Sequence, residues 1–436
     1  MRSLIVDNLF ADSIQKGLGR AFEYLKKYQG DREFIRKHLL NACLHNLAYD
    51  PQCEASKANY LFELINLTGD SYFYREKILL SLPTSEYFWD TQQLYELALC
   101  WAKQGDREAR ELIYQTFRKQ DDNESWLGGD RIIELDGING LLAVAEIFGH
   151  KLLQDSELWE DDYLISKAQN LYGVEEVNSA IERAAVDNKA IKAYLDAVKA
   201  HELEIKSYRS QNPKNRYENI KLDDILQKIE SPRGHWYLLN KFGINASDRD
   251  IEILFDRLLQ ETRKEQLRKY LWVFKNRQLP RIDNRLLDLA RSEDDDIQFC
   301  AIRALANNKN DAIRSLAIDL IQNTQAIGNK LFSLFFANYQ KGDAQILESA
   351  LKQSPDLDYR HAAGMDLMKI IKLQKDPELI NCSFWIYENT PCAHCRESIL
   401  EILIESQQIT TDILQECLLD SSEDIRTMAK TYGIER

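Results

Sequence analysis

The feature that most constrains this chain is a repeat longer than any single helix. Six segments of its second half share one layout: QLRKYLWVF (266–274), DIQFCAIRAL (296–305), GNKLFSLFF (328–336), DYRHAAGMDL (358–367), HCRESILEIL (394–403) and DIRTMAKTYG (424–433). Aligned on their third residues they give the column Arg268, Gln298, Lys330, Arg360, Arg396 and Arg426, at spacings of 30, 32, 30, 36 and 30. Between successive members lies another amphipathic stretch, as at 286–290, 344–351, 378–387 and 412–419. Each period therefore holds two helices. One helix pair cannot bury its own apolar face, so a period of this length predicts pairs stacked into an array. The first half carries a looser version, in which FIRKHLL, FYREKIL and EARELIY align Arg36, Arg75 and Arg110 at spacings of 39 and 35. Residues 120–264 follow no repeat that can be phased.

Within the period the local signals are helical. Leu94, Leu97, Ala98 and Trp101 fall on one face of a helix, with Asp90 as a predicted N-cap and Gly105 as its stop. Ile251, Leu254, Phe255, Leu258 and Leu259 do the same behind Ser247 and Asp250, which are spaced as a capping box. Composition agrees. Only 17 Gly and 8 Pro occur in 436 residues, too few for the many turns of a β fold, and 44% apolar residues exclude wholesale disorder. The predicted fold class is all-α, irregular in the middle.

The start of the second helix, as in Asp424-Ile425-Arg426 followed by small and apolar residues, resembles the HEAT/armadillo-type repeat. The resemblance covers 265–436 and, more loosely, 10–118; it departs from the pattern at Gln298 and Lys330, where the cation is missing or changed. It implies a curved α-solenoid of antiparallel helix pairs. It implies no chemistry, because such repeats serve as adaptors, scaffolds, nucleic-acid clamps and, rarely, enzymes.

Breaks in the pattern set the expected division. Residues 119–136, with Gly128-Gly129 and a β-capable Ile132-Ile133, read as a long loop, and the acidic stretch 155–162 reads similarly. The polar segment SQNPKNRYEN (210–219) is the best boundary. The expectation is an N-terminal helical domain (1–209), a linker (210–219) and a C-terminal repeat array (220–436).

Charge narrows the partners. The net charge of −14 disfavours general binding to nucleic acid or anionic membranes. The sign is uneven, however: residues 201–281 hold 17 basic and 12 acidic residues, a net +5. No run approaches the about 20 apolar residues of a membrane span. The start, MRSLIVDNLFAD, lacks the apolar stretch of an export signal, and eight dilute cysteines read as reduced thiols, so the expected location is cytoplasmic.

Several clusters invite chemistry. Cys392-Ala393-His394-Cys395 has the spacing of a zinc or redox pair, but no second C-x-x-C completes a four-ligand site, and its plain reading is two thiols at the start of a repeat helix. Cys43, His45 and Cys53 form a looser group, and His201-Glu202 is a single His-Glu pair. Phosphate-loop, dinucleotide-binding and metallohydrolase motifs are absent. The sequence thus predicts no catalytic residue, metal or cofactor. The cation column reads either as a ladder tying repeats together or as a row facing a bound acidic peptide or phosphate backbone. In the basic segment Arg263, Lys264, Arg268, Lys269, Lys275, Arg277 and Arg281 interleave with Tyr270, Trp272 and Phe274. The expectation is a non-enzymatic adaptor that binds another protein, with Arg268, Tyr270, Trp272, Lys330, Arg360, Arg396 and Arg426 as contact candidates. Nucleic-acid binding through 206–281 is the alternative.

Overall fold

A computed structural model describes residues 2–27, 32–119, 126–155, 158–211, 220–323, 331–353 and 356–435. Among these residues the secondary structure is 24 α-helices with a few short 3-10 turns and no strand. The chain divides into two compact units, one of residues 1–213 with 412–436 and one of residues 214–411. Among the described residues no helix is long and apolar enough to cross a membrane.

In the first unit the periodic residues are the core. Leu94, Leu97, Ala98 and Trp101 are all buried on the helix Phe88–Lys103, which packs against Ala58–Thr68 and Arg107–Lys119. The N-cap is Tyr87 rather than Asp90. Asp90 sits in the first turn, and its carboxylate accepts from the backbone N–H of Asn46 at 2.7 Å, so its preference for a helix start is met across a loop instead. Gly105, at φ 94°, ends the helix as expected.

The expected loop is shorter than its sequence implies. Residues 120–125 lie outside the described residues, a turn at 126–128 follows, and the helix Gly129–Gln154 begins there, with a break at Gly137. Ile132 and Ile133 are fully buried in that helix. A short apolar pair does not distinguish a strand from a buried helical turn, and packing against Lys189–Gln211 decides for the helix. The last residues of the chain belong to this unit by direct contact. The Ser421 N–H donates to the Gly17 carbonyl at 2.8 Å, and Arg20 pairs with Glu416 at 2.8 Å. Glycine is needed at 19, where a methyl group would sit 2.0 Å from the Glu416 carbonyl oxygen.

In the second unit the capping residues act as their spacing predicts. Ser247 caps Asp248–Gln260, accepting from the Asp250 N–H at 3.2 Å while its hydroxyl donates to the Asp250 carboxylate at 2.8 Å. Helix Lys264–Val273 packs between Trp236–Asn245 and Asp295–Leu305. The repeat member at 328–336 differs from the others: Leu331–Phe335 is a short 3-10 turn buried at every position. Four of its five residues are large and apolar, so it has little polar face to keep in water, and a tight turn buries it on all sides, Ser333 included.

Bonds recur at the repeat spacing in both units. Arg36 reaches Asp70, Arg75 reaches Asp106 and Arg110 reaches Asp136, each at 2.5 Å. In the second unit Arg291 pairs with Asp319 at 3.1 Å and Arg314 with Asp343 at 2.5 Å. Buried asparagines add a neutral version. Asn308 accepts from the Leu279 N–H, Asn338 accepts from the Asn310 N–H, and Asn338 donates to the Asn308 carbonyl, at 2.8, 2.8 and 2.9 Å. These side chains satisfy backbone groups that the connections between helices leave unpaired.

Candidate functional site

The interleaved segment sorts its residues by helical face. Tyr270 is 4% exposed and Phe274 fully buried, both in the core, and Lys269 is 2% exposed, its ammonium donating to the carbonyls of Ile229 and Ser231. Trp272, two residues from Tyr270, points elsewhere and is half-buried. It meets Trp236 on one side at 5.5 Å between ring centroids and Phe299 on the other at 6.2 Å. All three rings are half-buried and come from successive packed helices. They form a strip.

Cations line that strip. The Arg268 guanidinium lies 5.5 Å over the Trp236 ring, the Lys275 ammonium 4.2 Å over Trp272 and the Arg303 guanidinium 5.8 Å over Phe299. Lys369 lies 4.0 Å over the neighbouring Phe336. Burial first, and then the charge of Arg303, pushes the Lys275 ammonium below its ordinary value. Lys369 is lowered too, by burial first; Asp366 raises it and Arg303 lowers it further. Arg303 stands 3.7 Å from Asp366.

The other basic residues of the segment are neutralised locally. Arg263 pairs with Glu230 and Glu261, Lys264 with Asp294, Arg277 with Asp248, and Arg281 with Glu252 and Asp256, at 2.5–3.2 Å. Arg268 also reaches Glu265 at 3.0 Å and Asp296 at 3.4 Å.

The remaining contact candidates are scattered. Lys330 lies outside the described residues. Arg360 is half-buried, and its Nε has no hydrogen-bond partner. Arg396 is fully buried and offers no surface to a partner. Arg426 donates to the carbonyls of Asp420 and Ser421 at 2.6 and 2.9 Å. Of the predicted set, the structure brings only Arg268 and Trp272 to the strip. Trp236, Phe299, Arg303 and Lys369 come from other helices, and the repeat register does not reveal them: it sets Ile302 and Gly364 opposite Trp272, so only the packing of the helices brings these side chains together.

The cysteine clusters part ways. Cys43 is fully buried, and burial pushes its thiol far up, which disfavours the thiolate. His45 turns instead to the Asp90 carboxylate at 2.9 Å. The His201 ring stacks on Trp159 at 4.6 Å. Cys392 and Cys395, by contrast, meet a third donor. The imidazole of His361 and the two sulfurs all lie within 4.8 Å of one another. Cys392 is the N-cap of Ala393–Glu405 and Cys395 stands in its first turn, while His361 projects from Leu357–Gln374, which packs against that helix. The Cys395 thiol, the His361 ring and the backbone N–H groups of Cys395 and His394 hold the Cys392 thiol well below the usual cysteine range. His361 was missed in the sequence because it lies one repeat upstream; beside Arg360 in the column, it aligns next to the Cys395-Arg396 start of the following repeat.

No family model matches the sequence, and no curated protein matches it.

Proposed function

We propose that this chain is a helical-repeat adaptor, an array of antiparallel HEAT-like helix pairs that holds an acidic segment of a partner protein on the Trp236–Trp272–Phe299 strip. Bonds repeated at 28–34 residues between successive helices support the array. One observation carries the function: Lys275, Arg303 and Lys369 gather at the strip, where burial first and the Arg303 charge second lower both lysines, and Asp366 faces Arg303 and Lys369. Like charges brought together are unfavourable until an anion joins them. Carboxylates of a partner meet that need, and the aromatic edges cover its apolar side chains.

Single-stranded nucleic acid has less support. Base stacking needs open aromatic faces. Here Arg268 and Lys275 already lie over the two tryptophans, and most neighbouring cations are paired with carboxylates. The reading extends to a cytoplasmic location, supported by eight cysteines that form no disulfide.

The test is a pull-down from native extract with wild-type chain and with Lys275→Glu, each with and without nuclease. The reading expects a stoichiometric protein that survives nuclease and is lost with Lys275→Glu. Nucleic acid retained by the wild type, with proteins lost after nuclease, overturns it.

A further inference from the structure

We propose that His361, Cys392 and Cys395 bind a zinc ion, with two thiolates and one imidazole as ligands and water in the fourth position. This site is independent of the aromatic strip. The geometry is the argument. Two sulfurs at an N-cap and the third position after it project from the same helix end, and the imidazole arrives from the neighbouring helix. Their donor atoms lie within 4.8 Å of one another. A tetrahedral zinc ion, with bonds of about 2.0–2.3 Å, places its donors about 3.5–3.8 Å apart. Small side-chain rotations close that difference.

The donor set fits the metal. Thiolate and imidazole are the softer protein ligands, and their combination selects zinc over the oxygen-seeking cations. The surroundings fit as well. Cys392 and Cys395 are 6% and 5% exposed, so an ion held between them is largely shielded from water. The Thr390 hydroxyl accepts from the Cys392 N–H at 3.4 Å and fixes the turn that aims the first sulfur. His361 is only half-buried, which leaves solvent a route to the fourth position. His394, between the two cysteines in sequence, is turned away and stands 3.6 Å from Glu397.

Other thiols of the same unit show what an ordinary cysteine looks like here. Cys300 and Cys382 are buried without a cluster, and burial pushes them up to about 11 and about 12. A redox pair is the competing chemistry for Cys-x-x-Cys. It needs two sulfurs and an accessible nucleophile, whereas here there are three converging donors and little access.

The test is an anaerobic cobalt titration of the full-length chain, reduced and stripped with a chelator. The expected result is one cobalt per chain, with the intense visible bands of a tetrahedral ion and thiolate-to-cobalt charge transfer, both bleached by one equivalent of zinc. Cys392→Ser and Cys395→Ser each abolish the charge-transfer signal. His361→Ala weakens binding about tenfold or more and alters the visible bands, and Cys53→Ser, at an exposed thiol, changes neither. A spectrum that is absent, octahedral or unchanged in Cys392→Ser overturns the proposal. So does a reduced chain that ignores cobalt but forms a Cys392–Cys395 disulfide with oxidised glutathione, which assigns a dithiol redox pair instead. A second measurement needs no variant. The melting temperature of the wild-type chain rises with zinc concentration if the folded state binds it, and identical melts in zinc and in chelator contradict the site.

Discussion

Two sets of cations end differently in the fold. In the first unit Arg36, Arg75 and Arg110 each reach a carboxylate on or just before a following helix. At the strip of the second unit Arg268, Lys275 and Arg303 lie over aromatic rings. Arg268 still reaches Glu265 and Asp296, so the difference in carboxylate supply lies at Lys275, Arg303 and Lys369. Asp70, Asp106 and Asp136 stand where the arginines arrive, so those charges tie one helix to another within the unit. Asp366 faces both Lys369 and Arg303, while Lys275 feels the charge of Arg303. A cation matched inside the fold is structure; a cluster under-supplied with anions is available to a partner.

The contrast breaks most clearly at the strip. Trp272→Ala is expected to weaken partner binding by about 2 kcal/mol or more, roughly 30-fold, as a central aromatic anchor does. Titration calorimetry with the purified partner reads this, and unchanged circular dichroism separates it from unfolding. Arg75→Ala is the converse. Its guanidinium makes two bonds to Asp106 and one to the exposed Glu108 and is half-buried. Its loss should cost about 2 kcal/mol in urea unfolding and leave partner binding unchanged.

Acid sharpens the same pair. The bond from Arg75 holds the Asp106 carboxyl below its ordinary value of 3.8, against the opposing effect of burial. A carboxyl lowered on folding adds stability above its unfolded value, and that stability fades as the pH falls through the folded one. Wild type should therefore exceed Asp106→Asn in stability at neutral pH, and the gap should close only below pH 3.8. Urea melts across that range measure it. The smallest effect belongs to Lys275→Ala, which is expected to change stability by less than about 0.5 kcal/mol, because burial and Arg303 already disfavour its charge.

Much of this was legible in the chain. The buried face of Leu94, Leu97, Ala98 and Trp101 follows from spacing, and so does the Ser247 cap. The column of Arg36, Arg75 and Arg110 was legible as a column; its partners, 26–34 residues away, were not, because sequence order does not say which helix head a long side chain reaches. Tyr270 and Trp272 show the same limit. Interleaving aromatics with cations looks like one surface, yet residues two apart on a helix face different ways, and one ring is core while the other joins the strip. His361 is the sharpest case. Cys43 and His45 are close in sequence and chemically apart, whereas His361 and Cys392 are distant in sequence and share a cluster.

The most direct test of the adaptor reading places a photo-crosslinking benzoylphenylalanine at Phe299, a half-buried ring in the strip. Irradiation in native extract should join the chain to one polypeptide, in a nuclease-resistant product that fails to form when Lys275→Glu is added. Crosslinks to nucleic acid, or a polypeptide product that persists with Lys275→Glu, would contradict the account.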